Sequence, residues 1–179
     1  MTITYHFAQM RLHKASILEP GNFGRLLQRY SPPPPGGQGF GNPWLLTREM
    51  IFEQARPAAK PTRFECCYVL PSLEDAQRCR AVNDRLGLQV LHEVEFVDPS
   101  AAMHSGALSY LEMFDGQVFL EPTRAAAAQY WASAKGDANF GTEIFTLSPL
   151  TVVRAVEEVL RLTVQKEKTA GEFDGSRGG

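Results

Sequence analysis

Residues 31–43 read SPPPPGGQGFGNP, and nine of these thirteen positions are proline or glycine. Proline removes a backbone donor and glycine carries the largest entropic cost of ordering, so neither a helix interior nor a central strand can form there. The tract is therefore a loop, with polyproline geometry over 32–35. It divides a short N-terminal portion from the rest of the chain. The whole is 179 residues, 44% hydrophobic and 21% charged, which fits one domain of the usual ~100 to 200 residues with a single core. We place that domain at 1–164 and read 165–179, which ends in KEKTAGEFDGSRGG, as a polar tail without periodicity.

Charge and cysteine content exclude several classes of function. Eighteen basic against twenty acidic side chains leave a formal charge of −2, so no broad basic face exists to hold a nucleic-acid backbone. The longest apolar runs, 66–70 and 125–128, fall far short of the ~20 residues of a membrane helix, so no membrane association is expected. The opening MTITYHFAQM lacks the basic start, apolar stretch and small-residue cleavage site of a signal peptide. The expected location is cytoplasmic, with secretion by a signal-independent route left open. Cys66, Cys67 and Cys79 are an odd number without metal-ligand spacing. They are expected to be reduced, apolar thiols and not metal ligands, with Cys66 and Cys67 on opposite faces of a strand.

Periodicity predicts the following elements. A strand covers 2–7, with Tyr5 and His6 on opposite faces. A short helix follows over 13–18, closed by Pro20-Gly21, and a second over 22–30. Asn42 and Pro43 cap and open a helix through Arg56. A strand over 62–70 leads to a helix capped by Ser72 and stopped by Gly87. The alternation in LQVLHEVEFV predicts a half-exposed strand over 88–97. Helices are expected over 103–114 and 123–134. A strand is expected over 142–147, with a strand or short helix over 150–157. Irregular alternation with long connections favours an α+β domain over a doubly wound parallel sheet.

Motifs of nucleotide loops, hydrolase elbows and zincins are missing: there is no GxGxxG after a strand, no GxxxxGK[ST], no GxSxG and no HExxH. Three other stretches carry a resemblance. The N-terminal TYHFAQMRLHKASILEPG resembles the opening of ADP-ribosyltransferase-fold proteins, where an aromatic-His pair ends the first strand. The stretch GTEIFTLSPLTVVRAV resembles the last motif of the diphtheria-toxin and poly(ADP-ribose) polymerase branch, in which a glutamate opens an apolar strand. Between them, REMIFEQARPAAKPTRFECCYVLPSLEDA resembles an uncharacterised bacterial subgroup of the same superfamily, through an RExxFE helix and the step Pro61-Thr62-Arg63.

The resemblance implies a split, mostly antiparallel sheet with flanking helices that grips NAD in a cleft. It implies that His6 bonds the adenosine ribose, that Tyr5 packs beneath it, and that Glu143 is the catalytic carboxylate. Either Arg48 or Arg63 would neutralise the pyrophosphate, and either Tyr68 or Tyr130 would offer an aromatic surface to nicotinamide. Breaking the N-glycosidic bond of NAD builds positive charge on the ribose carbon, and a fixed carboxylate stabilises that charge most at the transition state. The position two residues before Glu143 is Gly141, where arginine-modifying toxins carry an acidic residue or glutamine, so arginine-specific transfer is disfavoured. The implied function is transfer of ADP-ribose to a macromolecular acceptor, protein favoured, by a bacterial toxin, effector or defence protein. Two alternatives stand beside it: a binding domain that keeps the fold without the chemistry, and an NAD glycohydrolase. Each residue also has a plainer role: His6 as a core histidine, Glu143 and Arg48 as solvated charges, Arg63 in an edge-strand salt bridge, and Tyr130 in core packing.

Overall fold

The computed structural model describes residues 3–28, 43–112 and 120–156. Residues 31–42 of the proline-glycine tract and the 165–179 tail lie outside the described residues. Strand β1 (Thr4–Ala8) forms where β-favouring residues alternate, and it pairs antiparallel with β4 (Val90–Phe96). Strand β4 pairs with β7 (Leu150–Ala155), and β7 with the two-residue β2 (Ile17–Leu18), giving a four-stranded sheet in the order β1-β4-β7-β2. A second sheet runs β3-β6-β5, from β3 (Cys67–Val69), β6 (Thr142–Thr146) and β5 (Met103–Ala107). Every strand pair is antiparallel. The sheets meet at one bridge, where Tyr5 and Leu70 exchange backbone hydrogen bonds of 2.9 and 2.8 Å. With helices α1 (Asn22–Gln28), α2 (Pro43–Gln54), α3 (Leu73–Val82), α4 (Ser109–Glu112) and α5 (Leu120–Trp131), the architecture is α+β with mostly antiparallel sheet. No helix of the described residues is long and apolar enough to cross a membrane.

Two apolar clusters follow from this topology. The larger gathers Phe52, Leu70, Leu91, Leu108, Leu111, Tyr130, Trp131 and Phe145; the smaller gathers Cys67, Val69, Val94, Leu150 and Val152. Cys66 belongs to the first and Cys67 to the second, as opposite strand faces require. Burial pushes the Cys66 thiol up to about 12 and the Cys67 thiol up to about 11, so both stay protonated at neutral pH. Helix α3 starts where Ser72 accepts a hydrogen bond from the Asp75 amide at 3.0 Å, satisfying one orphan donor of the first turn.

Several expected elements are different in the structure. The helix over 13–18 is a turn, with Ala15 at φ 65°, followed by β2. That turn carries the chain onto β7, where the Ala15 amide donates to the Val152 carbonyl at 2.8 Å. The strand over 62–70 is interrupted by a 3-10 turn, Arg63–Glu65, and only Cys67–Val69 forms strand β3, with Leu70 adding a single bridge to Tyr5. Helix α3 ends at Val82, and a 3-10 turn over Asp84–Leu88 precedes β4. The expected half-exposed strand buries Leu91, His92, Glu93 and Val94 in succession, because β4 lies between β1 and β7 and is covered on both faces. The helix over 103–114 is β5 followed by the short α4.

Candidate functional site

Arg63 is the centre of a polar network inside the larger apolar cluster. Its guanidinium is 4% exposed and touches three acceptors on separate elements. Nε donates to Glu49 Oε2 on α2 at 2.8 Å, and Nη1 donates to Glu143 Oε1 on β6 and to the Tyr130 hydroxyl on α5. The Tyr130 hydroxyl donates in turn to Glu143 Oε1 at 2.5 Å. Arg48 donates to Glu49 Oε1 at 2.9 Å from Nη2, and to the Leu111 carbonyl at 2.5 Å from Nη1. Two arginines and two glutamates thus share one buried, formally neutral group. The Arg63 guanidinium carbon also lies 5.1 Å from the ring centres of Tyr68 and Tyr130 and 5.5 Å from that of Phe145.

Local folding places each member. Thr62 caps the Arg63–Glu65 turn, its hydroxyl accepting from the Phe64 amide at 3.3 Å, and the turn directs Arg63 inward. Glu49 is three residues before Phe52 on α2, so both share the buried face of that helix, at 1% and 0% exposure. Helices α2 and α5 are tied by the Trp131 indole N–H, which donates to the Phe52 carbonyl at 2.7 Å. That contact sets the Tyr130 ring edge-on to Phe52, with centres 5.3 Å apart. Gly106 on β5 makes room for the same ring: a Cβ there would lie 2.2 Å from Tyr130 Cε2. Glu143 is the second residue of β6, preceded by Thr142, whose amide donates to Asp75 Oδ1 at 3.0 Å, and by Gly141, whose φ of 79° suits glycine.

Electrostatics follow from burial without loss of partners. Burial alone would raise the Glu49 carboxyl, but Arg63 and Arg48 overcome it and hold Glu49 below the ordinary 4.5. Burial likewise disfavours the Arg63 cation, yet Glu143 and Glu49 overcome it and hold the guanidinium well above its ordinary value. The Tyr68 and Tyr130 phenols are pushed well above 10, first by burial and against the pull of Arg63, so both stay neutral donors.

Six of the seven residues selected from the sequence are connected. Glu143, Arg63, Tyr130 and Arg48 join through the contacts above, and the Tyr68 hydroxyl donates to the Arg63 carbonyl. His6 reaches the group through the Tyr68 backbone: Nδ1 lies 2.8 Å from the Tyr68 carbonyl, so the proton sits on Nδ1 and Nε2 is left as acceptor. Burial is the main cause that lowers the His6 ring below 6.5, with His92 adding to it, so the imidazole is neutral at pH 7. Tyr5 is the exception. It is paired across the sheet with Glu93 and packs on the larger apolar cluster without joining the network. Glu49 is not among the residues selected from the sequence, because a charge beside Arg48 reads as part of an exposed helix face. Its i, i+3 relation to Phe52 is the signal that places it inside. His104 is a second unselected neighbour: it stacks on Trp131 at 5.1 Å and its Nε2 lies 3.1 Å from the Tyr130 carbonyl.

A cavity of about 320 Å³ opens at the start of β6, lined by Gly141, Thr142 and Gly106 but by none of the seven selected residues. Fold and site together define an α+β protein with two antiparallel sheets and a buried arginine, carboxylate and phenol network at the opening of β6. No protein-family model matches the chain, and no curated protein matches it.

Proposed function

We propose that the chain is an NAD-dependent ADP-ribosyltransferase that moves ADP-ribose from NAD to a macromolecular acceptor, as a toxin, effector or defence protein of bacterial type acting in the cytoplasm. The observation that supports this reading is the connection of His6 to Glu143 through Tyr68 and Arg63, across β1, β3, the 3-10 turn and β6. Both hydrogen bonds to Glu143 fall on Oε1. In this reading Oε2 takes the nicotinamide-ribose hydroxyl and Tyr130 keeps the carboxylate oriented. The carboxylate then faces the positive charge that develops as the glycosidic bond breaks. His6, neutral with Nε2 as acceptor, takes a hydroxyl of the adenosine ribose. Arg48, one-fifth exposed at its side chain, is better placed than buried Arg63 to meet the pyrophosphate.

A specific observation favours a second reading, a binding domain without the chemistry. Arg63 pairs with Glu143 directly, and a paired carboxylate presents a weaker field to a developing cation than a free one. One experiment separates the two. The protein is mixed with NAD, and released nicotinamide is measured for the parent and for Glu143→Gln, which keeps an oxygen for Tyr130 and loses the charge. Transferase chemistry predicts release by the parent and a loss of about a hundredfold or more in the variant. Equal activity in both removes Glu143 from the mechanism, and no release by either favours the binding domain. Labelled ADP-ribose then distinguishes transfer from NAD hydrolysis by whether label becomes attached to macromolecule.

A further inference from the structure

The cavity at the opening of β6 has its own built wall. Residues 133–142 have no helix or strand before β6, yet they are pinned from both sides. The Ser133 hydroxyl donates to the Ser105 carbonyl at 3.0 Å, the Asp137 amide donates to the Ser109 hydroxyl at 3.0 Å, and the Tyr110 hydroxyl donates to the Lys135 carbonyl at 3.1 Å. Gly136 lets the segment lie against β5, since a Cβ there would fall 2.2 Å from Ser109 Oγ and 2.5 Å from Ala107 Cβ. An irregular segment fixed this closely over a cavity is preorganised to bind.

The lining groups decide what binds. Asp75 turns both oxygens to the protein, Oδ1 accepting from the Thr142 amide and Oδ2 from the Ser72 hydroxyl, while exposed Asp137 accepts from the Asn139 amide through Oδ1 and leaves Oδ2 to solvent. Asp75 also lies in the first turn of α3, where the helix dipole offsets its charge. The cations are differently placed. Among the described residues Lys135 makes no ion pair, and Arg78 pairs only with Glu74, which is 71% exposed and weakly held. The spare donor capacity of the cavity therefore lies with a guanidinium fork, an ammonium and the Ser105 hydroxyl, the Ser133 proton being given to the Ser105 carbonyl.

We propose that this cavity binds a small phosphate-bearing anion, held between Arg78 of α3 and Lys135 of the pinned segment. Two cations on separate elements, with the Ser105 hydroxyl in the same lining, suit a tetrahedral group of several oxygens better than a planar carboxylate. The site is distinct from the network around Arg63, and it stands whether or not the protein acts on NAD.

Amide chemical shifts of the isotope-labelled full chain, titrated with inorganic phosphate, pyrophosphate or acetate at matched ionic strength, test it. Phosphate or pyrophosphate is expected to give saturable shifts concentrated at 105–107 and 133–142. Lys135→Ala and Arg78→Ala are each expected to weaken binding by about tenfold or more, with the rest of the spectrum unchanged, because both residues line the cavity and neither is buried in the core. Should either alanine variant fail to fold, Lys135→Gln and Arg78→Gln replace them with the same expectation. Shifts that do not saturate, acetate binding as tightly as phosphate, or unchanged affinity in both variants would overturn the proposal.

Discussion

Two of the arginine–glutamate contacts among the described residues have similar chemistry and different surroundings. Arg154 and Glu93 meet across β4 and β7 in a forked contact of 2.6 and 2.7 Å, with the Arg154 side chain 60% exposed and the Glu93 side chain 11%. Arg63 meets Glu49 and Glu143 with all three side chains at 9% exposure or less. The surface pair has the better two-point geometry. The buried group has the larger consequence, because water already reaches the Arg154 end of the first contact and reaches neither end of the second. A contact distance alone does not rank these interactions; the dielectric around them does.

The sharpest way to break the comparison is Arg63→Met. Removing the guanidinium leaves Glu49 and Glu143 buried beside only Arg48 and Tyr130, and the expected loss is about 3–5 kcal/mol in urea unfolding. Methionine fills much of the volume, so a loss this large reports stranded charge and not a cavity. An unfolding free energy within about 1 kcal/mol of the parent would mean that the network is hydrated, and that its burial carries no energetic weight.

A smaller effect comes from pH, and its sign follows from the shifts. The His6 ring is held below 6.5, chiefly by burial, so the unfolded chain takes up a proton before the folded one. Its contribution is fully present above pH 6.5 and is lost as pH falls from 6.5 towards the folded value, with a slope of at most about 1.4 kcal/mol per pH unit for one proton. His104, also lowered mainly by burial, adds in the same direction. Glu49 acts further into acid: held below 4.5, it stabilises above that value and ceases to do so as pH falls through its folded value. In unfolding measurements from pH 7 to 5, His6→Gln keeps a donor for the Tyr68 carbonyl and is expected to flatten the slope. An unchanged slope would assign it to His104 or other groups.

Much of this arrangement is legible in the order of the residues. The stretch 150–157, left open between strand and short helix, is strand β7 over Leu150–Ala155, while strand β1, helix α2, the Ser72 cap, helix α5 and strand β6 follow from periodicity and end signals. Strand β5 does not. Its buried positions are His104, Gly106 and Ala107, and Gly106 is covered because the Tyr130 ring rests on it. A residue buried by its partner's bulk leaves no hydrophobic mark of its own, so the helical spacing of nearby residues dominates 103–114. The turn over 13–18 reads as helix for a related reason: the chain there is held by backbone bonds to Val152, which side-chain patterns do not encode. At the candidate site the residue types can be chosen from motifs, and six of the seven fall in one connected group. The role of Glu49 cannot be chosen in that way, since a glutamate inside a core exists only because Arg63 and Arg48 are there to meet it.

The smallest expected effect completes the contrast. Arg154→Ala removes the forked contact to Glu93 at a bulge, where the β4–β7 register shifts between Glu93 and Val94. Glu93 raises the Arg154 guanidinium above its ordinary value, first through the hydrogen bond and then through its charge, yet that guanidinium stays in water. Side-chain entropy regained on truncation offsets most of what the contact contributes, and salt screens the remainder. The thermal midpoint of Arg154→Ala is therefore expected to fall by less than that of Arg63→Met, the remaining loss coming from the mostly buried Glu93 carboxylate, and the difference from the parent should shrink at high salt. A large drop, persisting in salt, would show that the bulge depends on this pair for its register. The two arginine–glutamate pairs would then differ in position but not in kind, and exposure would no longer separate them.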